Sequence, residues 1–309
     1  MSMVGRDVYD VDVFNVEEVY QLFELTKHFK GILSRKVKKV PALRGVTVCT
    51  AFFENSTRTK ISFDLAAKRL GADTVAFSAS SSSLKKGESL KDTILTLDAM
   101  GIDLYVVRHS EPGTPKFIKK YTKATVINAG DGFHAHPTQA LLDNYTIWEK
   151  KGKIDGLKIS IVGDIQHSRV VRSNIKLMKM LGAEVTVCGP KTLMPLEIEK
   201  SGVKVSYDIN EAIDGADVVM GLRMQLERQT SGLFPTLEEY HKLYGITKDR
   251  LSHAKPDVIF MHPGPMNRGV EVDDHVADFE RSVVQEQVTN GEAIRMALLY
   301  SVLGGRMEE

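Results

Sequence analysis

Several short stretches place polar and cationic side chains where a strand hands over to a helix. In one, an apolar run ends at Phe52 and Phe53; Glu54, Asn55, Ser56, Thr57, Arg58 and Thr59 follow, and helical periodicity comes next. Such a junction leaves backbone N–H groups without intrahelical partners and turns the positive end of the helix dipole outward. Three hydroxyls and a guanidinium at that point suit a phosphate, and Arg58 brings a two-pronged donor that lysine lacks. The plain alternative is an ordinary Ser or Thr cap beside a surface arginine. Arg108 follows the run 104–107, and His136 and Gln139 of HPTQ open a helix after a strand-like TVINA. Singly, Arg108 reads as a surface cation and His136 as a cap. Jointly they matter, because open α/β sheets bind ligands outside the carboxyl ends of their strands.

The second half repeats the device. The run 159–162 leads into Gly163, Asp164, Ile165, Gln166, His167, Ser168 and Arg169, and then a helix. No G-x-G-x-x-G is present, which rejects a dinucleotide fingerprint. A cation in the first turn opposes the dipole at a cost of about 0.3–1 kcal/mol, so Arg169 points to a ligand. Arg223 and Gln225 end another strand. His262, Pro263, Gly264 and Pro265 end a third, in a stiff turn whose carbonyls could accept from an amino group. No Ser–His–Asp or Cys–His pattern is apparent. His134 and His136 have strand spacing for a metal pair but read as structural, and with no HExxH and no cysteine partner neither metal nor cofactor is expected. Cys49 and Cys188 lie in apolar runs without CxxC spacing and read as buried, reduced thiols of a cytoplasmic protein.

The elements that must position these groups alternate along the chain. Strands are expected at 46–52, 74–77, 104–107, 125–127, 159–162, 185–188, 203–206, 218–222 and 258–261. Phe63, Ala66, Ala67 and Leu70 keep helical spacing before a capping Gly71, and Val171, Ile175 and Met178 do so before Gly182. Alternation of this kind predicts an α/β fold of two doubly wound parallel-sheet domains linked by interdomain helices. The polar stretch 149–156 marks the boundary. Residues 280–304 read as a long helix, apolar nearly all round from Ala293, hence buried and able to return to the first domain. The expected division is 1–148, completed by 292–309, against 149–291. The serine run 78–83 reads as a mobile loop.

Composition narrows the function classes. The 309 residues suit two domains. Lys+Arg 41 against Asp+Glu 40 leaves a net charge of +1, which excludes a generally basic nucleic-acid binder. Hydrophobic residues at 42% and charged residues at 26% are ordinary for a globular protein that buries a real core. No apolar stretch is long enough for a bilayer, and the first residues lack the apolar core of a signal peptide, so no membrane association and a cytoplasmic location are expected.

FENSTRTKISFDLAAKRLGA, HPTQALLD, GDIQHSRVVRSN, LRMQLERQ and MHPGP, in this order and spacing, resemble the carbamoyltransferases, and among them the catalytic chains of the aspartate-specific family. Ornithine carbamoyltransferases carry an HCLP-type string whose place neither cysteine occupies here. The resemblance implies a carbamoyl phosphate domain followed by an aspartate domain, in a homotrimer with active sites shared between neighbouring chains. It implies that Ser56, Thr57, Arg58 and Thr59 hold the phosphate and that Arg108, His136 and Thr59 contact the carbonyl oxygen. Gln139 and the turn of Pro263, Gly264 and Pro265 would take the carbamoyl nitrogen. Arg169, Arg223 and Gln225 would bind the aspartate carboxylates, and Ser83 and Lys86 would reach in from the neighbouring subunit, a register that could slip by one residue in the serine run.

Glu54, Arg169 and Arg228 resemble a bridge made on domain closure, with 230–247 as the closing loop. GDIQHSRVVRSN is similar to the bacterial enzymes that pair with a dihydroorotase chain rather than a regulatory one. The substrates would bring about four negative charges, and each close cation–anion pair is worth roughly 4 kcal/mol before desolvation. Without substrate the cations repel, and Glu54 is the expected internal counter-ion. The rival readings are the same transfer to ornithine or another amino acid, and a phosphate-metabolite binding module without turnover.

Overall fold

A computed structural model of the chain describes residues 3–78, 87–224 and 236–305. Among them nine strands and eleven helices follow one another as α1 (Val16–Leu33), β1 (Thr47–Phe52), α2 (Thr57–Arg69), β2 (Asp73–Ser78), α3 (Leu90–Asp98), β3 (Leu104–His109), α4 (Thr114–Lys119), β4 (Thr125–Asp131), α5 (Pro137–Lys151), β5 (Lys158–Val162), α6 (Arg169–Met180), β6 (Glu184–Cys188), β7 (Lys204–Ser206), α7 (Ile209–Ile213), β8 (Val218–Gly221), α8 (Leu237–Tyr244), α9 (Lys248–Leu251), β9 (Ile259–Met261), α10 (Asp274–Ala277) and α11 (Val284–Leu303). The chain divides into two compact units, residues 1–141 with 289–309, and residues 142–288. α5 and α11 each run from one unit into the other.

The first unit holds a parallel sheet in the order β2-β1-β3-β4. β1, β3 and β4 are largely buried, as strands covered on both faces are, whereas the edge strand β2 leaves Asp73, Val75 and Ala76 exposed. Cys49, Ala51, Tyr105, Val107 and Val126 join Ile94 and Ile118 in one core cluster. α1 starts with a reciprocal cap, in which Asn15 accepts from the Glu18 N–H and the Glu18 side chain accepts from the Asn15 N–H. The late part of α11 completes this unit: Ala293, Met296, Ala297, Leu298 and Leu299 are fully buried. Arg295 donates to the Ser62 hydroxyl at 2.8 Å and lies over the Phe63 ring, and Glu292 pairs with Arg69.

The second unit holds a parallel sheet in the order β7-β6-β5-β8-β9. Val162, Cys188, Val219 and Phe260 pack there against Ile209, Ile213, Leu251 and Val276 of α7, α9 and α10. Each sheet reverses its winding once, between β1 and β3 in the first and between β5 and β8 in the second. Crevices at such reversals are where open sheets bind ligands.

All nine expected strands form, with shifted ends. β3 runs on to His109, so Arg108 lies inside the strand, its Cα opposite Phe52 of β1. α2 begins at Thr57, which draws Thr57, Arg58 and Thr59 into its first turn. α11 begins at Val284 rather than 280. Arg281 and Val283 exchange backbone hydrogen bonds with Phe260 of β9, which keeps that segment extended. Of the expected closing loop 230–247, residues 237–244 form α8, because Thr236 caps them by accepting from the Glu239 N–H. No helix among the described residues is long and apolar enough to cross a membrane.

Candidate active site

In the first unit, the candidate phosphate site is the start of α2. Ser56 takes the N-cap position with extended backbone, yet its side chain makes no capping hydrogen bond, and no acidic residue occupies the first turn. Asn15, Ser89, Ser168, Asp208, Thr236 and Thr247 all cap their own helices through the side chain. α2 therefore presents its first N–H groups and the dipole's positive end without a side-chain acceptor, with Arg58 exposed beside them.

Thr59, three residues in, is buried and faces the next strand end. Arg108 Nη1 lies 3.5 Å from the Thr59 hydroxyl and donates to the Ala129 carbonyl at 3.3 Å. Its Nε donates to Glu54 Oε1 at 2.7 Å. The expected counter-ion is thus in place, and it is Arg108 that Glu54 holds. Three contacts on one planar guanidinium fix its orientation before any ligand arrives.

His136 ends the same edge of the sheet. It is buried, and its carbonyl accepts from the Gln139 and Ala140 N–H groups, so it caps α5, with Pro137 at the first helical position. The loop that delivers it is organised by Asp131, a residue the sequence reading passed over. Its buried carboxylate accepts from Asn128 Nδ2, from the Gly113 N–H and from the Ala135 N–H, at 2.8, 2.8 and 3.2 Å. His134 turns its Nδ1 to this carboxylate at 3.1 Å. The Gly-Asp-Gly string before HPTQ was the available signal, since aspartate between glycines favours side-chain-to-backbone turns.

In the second unit, Gly163 follows β5 with φ +140°, and a Cβ there would sit 2.8 Å from the Leu222 carbonyl. Only glycine lets the two strand ends approach this closely. Asp164, fully buried, accepts from the His167 N–H at 3.0 Å and meets His167 Nδ1 at 3.0 Å, which closes the loop before α6. Ser168 caps α6, and Arg169 is its first residue, buried despite its charge. Arg223 follows β8 one residue past Leu222 and is half-buried. His262 leads from β9 into Pro263, Gly264 and Pro265, where Gly264 has φ +63° and donates its N–H to His262 Nδ1 at 2.9 Å.

The structure brings Glu54, Thr59 and Arg108 together in the first unit, beside the turn of Ser56, Thr57 and Arg58. In the second, Arg169, Arg223 and the 262–265 turn all stand at carboxyl ends of strands. Ser83, Lys86, Gln225 and Arg228 lie outside the described residues. Among the described residues no group of three or more His, Cys, Asp or Glu is placed to hold a metal ion.

Comparison with known proteins agrees with this layout. Residues 6–149 match the family model of the aspartate/ornithine carbamoyltransferase carbamoyl-P binding domain, and residues 155–302 that of the Asp/Orn binding domain. The aspartate carbamoyltransferase catalytic subunit of Desulforamulus reducens is 57% identical over 300 residues, 97% of this chain and 96% of the relative. That of Halothermothrix orenii is 56% identical over 309 residues, 100% and 99% of the two chains. The crystal structure of aspartate transcarbamoylase from Trypanosoma cruzi in complex with carbamoyl phosphate and aspartate matches with a TM-score of 0.87 at 32% identity, over 97% of this chain and 98% of the other. Ornithine carbamoyltransferase from Pyrococcus furiosus matches with a TM-score of 0.86 at 33% identity, over 99% of both chains. The fold is thus common to both acceptor specificities, while the relatives above 50% identity named here are aspartate enzymes. On two domain models that together span nearly its whole length, and on full-length relatives, the chain belongs to the aspartate/ornithine carbamoyltransferase family.

Proposed function

We propose that the chain is an aspartate carbamoyltransferase: it transfers the carbamoyl group of carbamoyl phosphate to the amino group of L-aspartate, giving N-carbamoyl-L-aspartate and phosphate in pyrimidine biosynthesis. The observation that carries the reading is the start of α2. There, a helix without a side-chain cap stands at the β1/β3 reversal beside Arg58 and an Arg108 already oriented by Glu54. The full-length aspartate relatives support the choice of acceptor.

On this reading Ser56, Thr57, Arg58 and Thr59 take the phosphate group, and the neighbouring subunit adds Ser83 and Lys86. Arg108, His136 and the Thr59 hydroxyl face the carbamoyl oxygen. Gln139 and the carbonyls of Pro263 and Gly264, in a turn stiffened by Pro265, accept from the carbamoyl nitrogen. Arg169, Arg223, Gln225 and Lys86 bind the aspartate carboxylates. The neutral amine attacks the carbonyl carbon, a C–N bond forms, and negative charge gathers on the former carbonyl oxygen. Arg108, with His136 and Thr59 as donors, stabilises that charge without having to reorient, which is where such sites gain most of their rate. The C–O bond to phosphate then breaks, and the departing phosphate takes the amine proton. No covalent enzyme intermediate is needed, so catalysis rests on position and charge.

Glu54 and Arg228 would form part of a bridge with Arg169 when substrate neutralises the site. The assembly is a cytoplasmic homotrimer, in which residues 1–148 with 292–309 bind carbamoyl phosphate and 149–291 bind aspartate, with a dihydroorotase chain as the expected further partner. The test is ureido product formation with aspartate and, separately, with ornithine. Product from aspartate alone supports the reading. Product from ornithine alone moves the acceptor, and calorimetric carbamoyl phosphate binding without product from either leaves a binding module.

A further inference from the structure

Glu271 is a buried carboxylate that the proposed chemistry does not use. It is 1% exposed in the second unit, and its Oε1 accepts from the Asn267 N–H at 2.9 Å. The same oxygen lies 3.7 Å from Nε2 of His262, whose ring is fully buried; at that separation the carboxylate acts on the ring through its charge, not through a hydrogen bond. The other ring nitrogen of His262, Nδ1, accepts from the Gly264 N–H at 2.9 Å. A nitrogen that accepts carries no proton, so His262 is the neutral tautomer with its proton on Nε2, aimed at Glu271. The backbone N–H of His262 donates to Gln287 Oε1 at 2.9 Å, and Gln287 Nε2 donates to Asp143 Oδ1 at 2.8 Å. Asp143 in turn accepts from Asn174 Nδ2 at 2.8 Å. The imidazole is therefore held at both ends, by its backbone from α5 and α11 and by its ring from Glu271.

We infer that Glu271 is a positioning residue for carbamoyl recognition: by selecting the Nε2–H tautomer of His262 it keeps Nδ1 free to accept from Gly264, and so sets the turn whose Pro263 and Gly264 carbonyls grip the carbamoyl nitrogen. The inference rests on the transferase reading of that turn. Gly264 sits in the left-handed region, which only glycine adopts readily, and its N–H contact to the His262 ring helps to set the direction of its carbonyl. A protonated or Nδ1–H imidazole would present a donor to a donor at Gly264 and let the turn relax. The phosphate end of the substrate, on α2, does not depend on this device.

The test separates the two ends of the ligand. In Glu271→Leu, carbamoyl phosphate binding measured by calorimetry should weaken about tenfold as the turn loosens, while inorganic phosphate and acetyl phosphate, which lacks the nitrogen, change by less than about twofold. Glu271→Gln, which keeps an acceptor oxygen, should restore most of the loss. His262→Asn can still accept from Gly264 through a side-chain turn and should bind carbamoyl phosphate better than His262→Phe. Histidine 15N spectra should show His262, assigned by its absence in His262→Asn, as a neutral Nε2–H ring. Equal weakening for all three ligands, no weakening in Glu271→Leu, or an Nδ1–H or doubly protonated His262 at neutral pH would each overturn the role of Glu271. If Glu271→Leu does not accumulate, the histidine spectra and the His262→Asn and His262→Phe pair decide. A wild-type chain that makes no carbamoyl aspartate would instead overturn the transferase reading itself.

Discussion

At the scale of single residues, Ser56 is the most informative position. An N-cap serine that leaves its helix uncapped has given up a contribution of about 0.5–2 kcal/mol. An aspartate there would supply the missing acceptor. Ser56→Asp should raise thermal stability by the worth of a cap and dipole contact, about 0.3–1 kcal/mol, while weakening carbamoyl phosphate binding at least about a hundredfold because a carboxylate occupies the donors. Differential scanning calorimetry and titration calorimetry read the two effects; a variant that gains stability and still binds would place the phosphate elsewhere. His109, one residue beyond Arg108, carries a pH dependence. Burial lowers its pKa from the ordinary 6.5 against the opposing pull of Glu111, Glu54 and Asp131. Its Nδ1 accepts from the Glu111 N–H at 2.8 Å, a contact that protonation would destroy. With the folded pKa below the unfolded one, the unfolded chain takes up the proton first. Stability is then undiminished above about pH 6.5 and falls as the pH drops below it. Urea unfolding across pH 7 to 5 should show that decline, and His109→Asn should flatten it.

At the scale of elements, much of the architecture was legible because it is written locally. Strand runs such as TVCTAF and KISIV are short, apolar and punctuated by glycine, and Leu70–Gly71 and Leu181–Gly182 mark helix ends with a positive φ. STRT and HPTQ were readable because their residues are neighbours in sequence and in space. What escaped was held by long-range bonds. Asp131 reaches Gly113 across 18 positions, and Gln287 reaches Asp143 across 144. Helix starts were misjudged where hydrogen bonds from another element decide them, as at 281–283. The strands also fix the fate of the thiols. Burial pushes Cys49 in β1 and Cys188 in β6 up to about 12. Neither should react with Ellman's reagent at pH 8 in the folded protein, whereas two equivalents should appear in urea. Rapid modification of native protein would mean that one of the strands opens.

At the scale of the whole molecule, the proposed sharing of sites makes a prediction that no isolated chain can meet. A chain carrying Arg58→Ala and a chain carrying Lys86→Ala should each be nearly inactive alone. Mixed trimers should regain part of the activity, because one interface unites an intact Arg58 with an intact Lys86. Verified mixed trimers without recovery would show that Lys86 serves its own chain or none. The two units also differ in how they are made. The second is continuous, residues 142–288, but the first needs residues 289–303 of α11 as well as 3–141. Glu292 and Arg295 reach back to Arg69 and Ser62, and the Val302 carbonyl accepts from the Gly5 N–H at 2.8 Å. On the ribosome, therefore, the half synthesised first waits for the stretch synthesised among the last, while the later half can already close on itself. Nascent chains stalled before α11 would leave α1 and α2 without the helix that meets them through Tyr300, Glu292 and Arg295, and that side of the first unit open to chaperones and proteases for as long as α11 is missing.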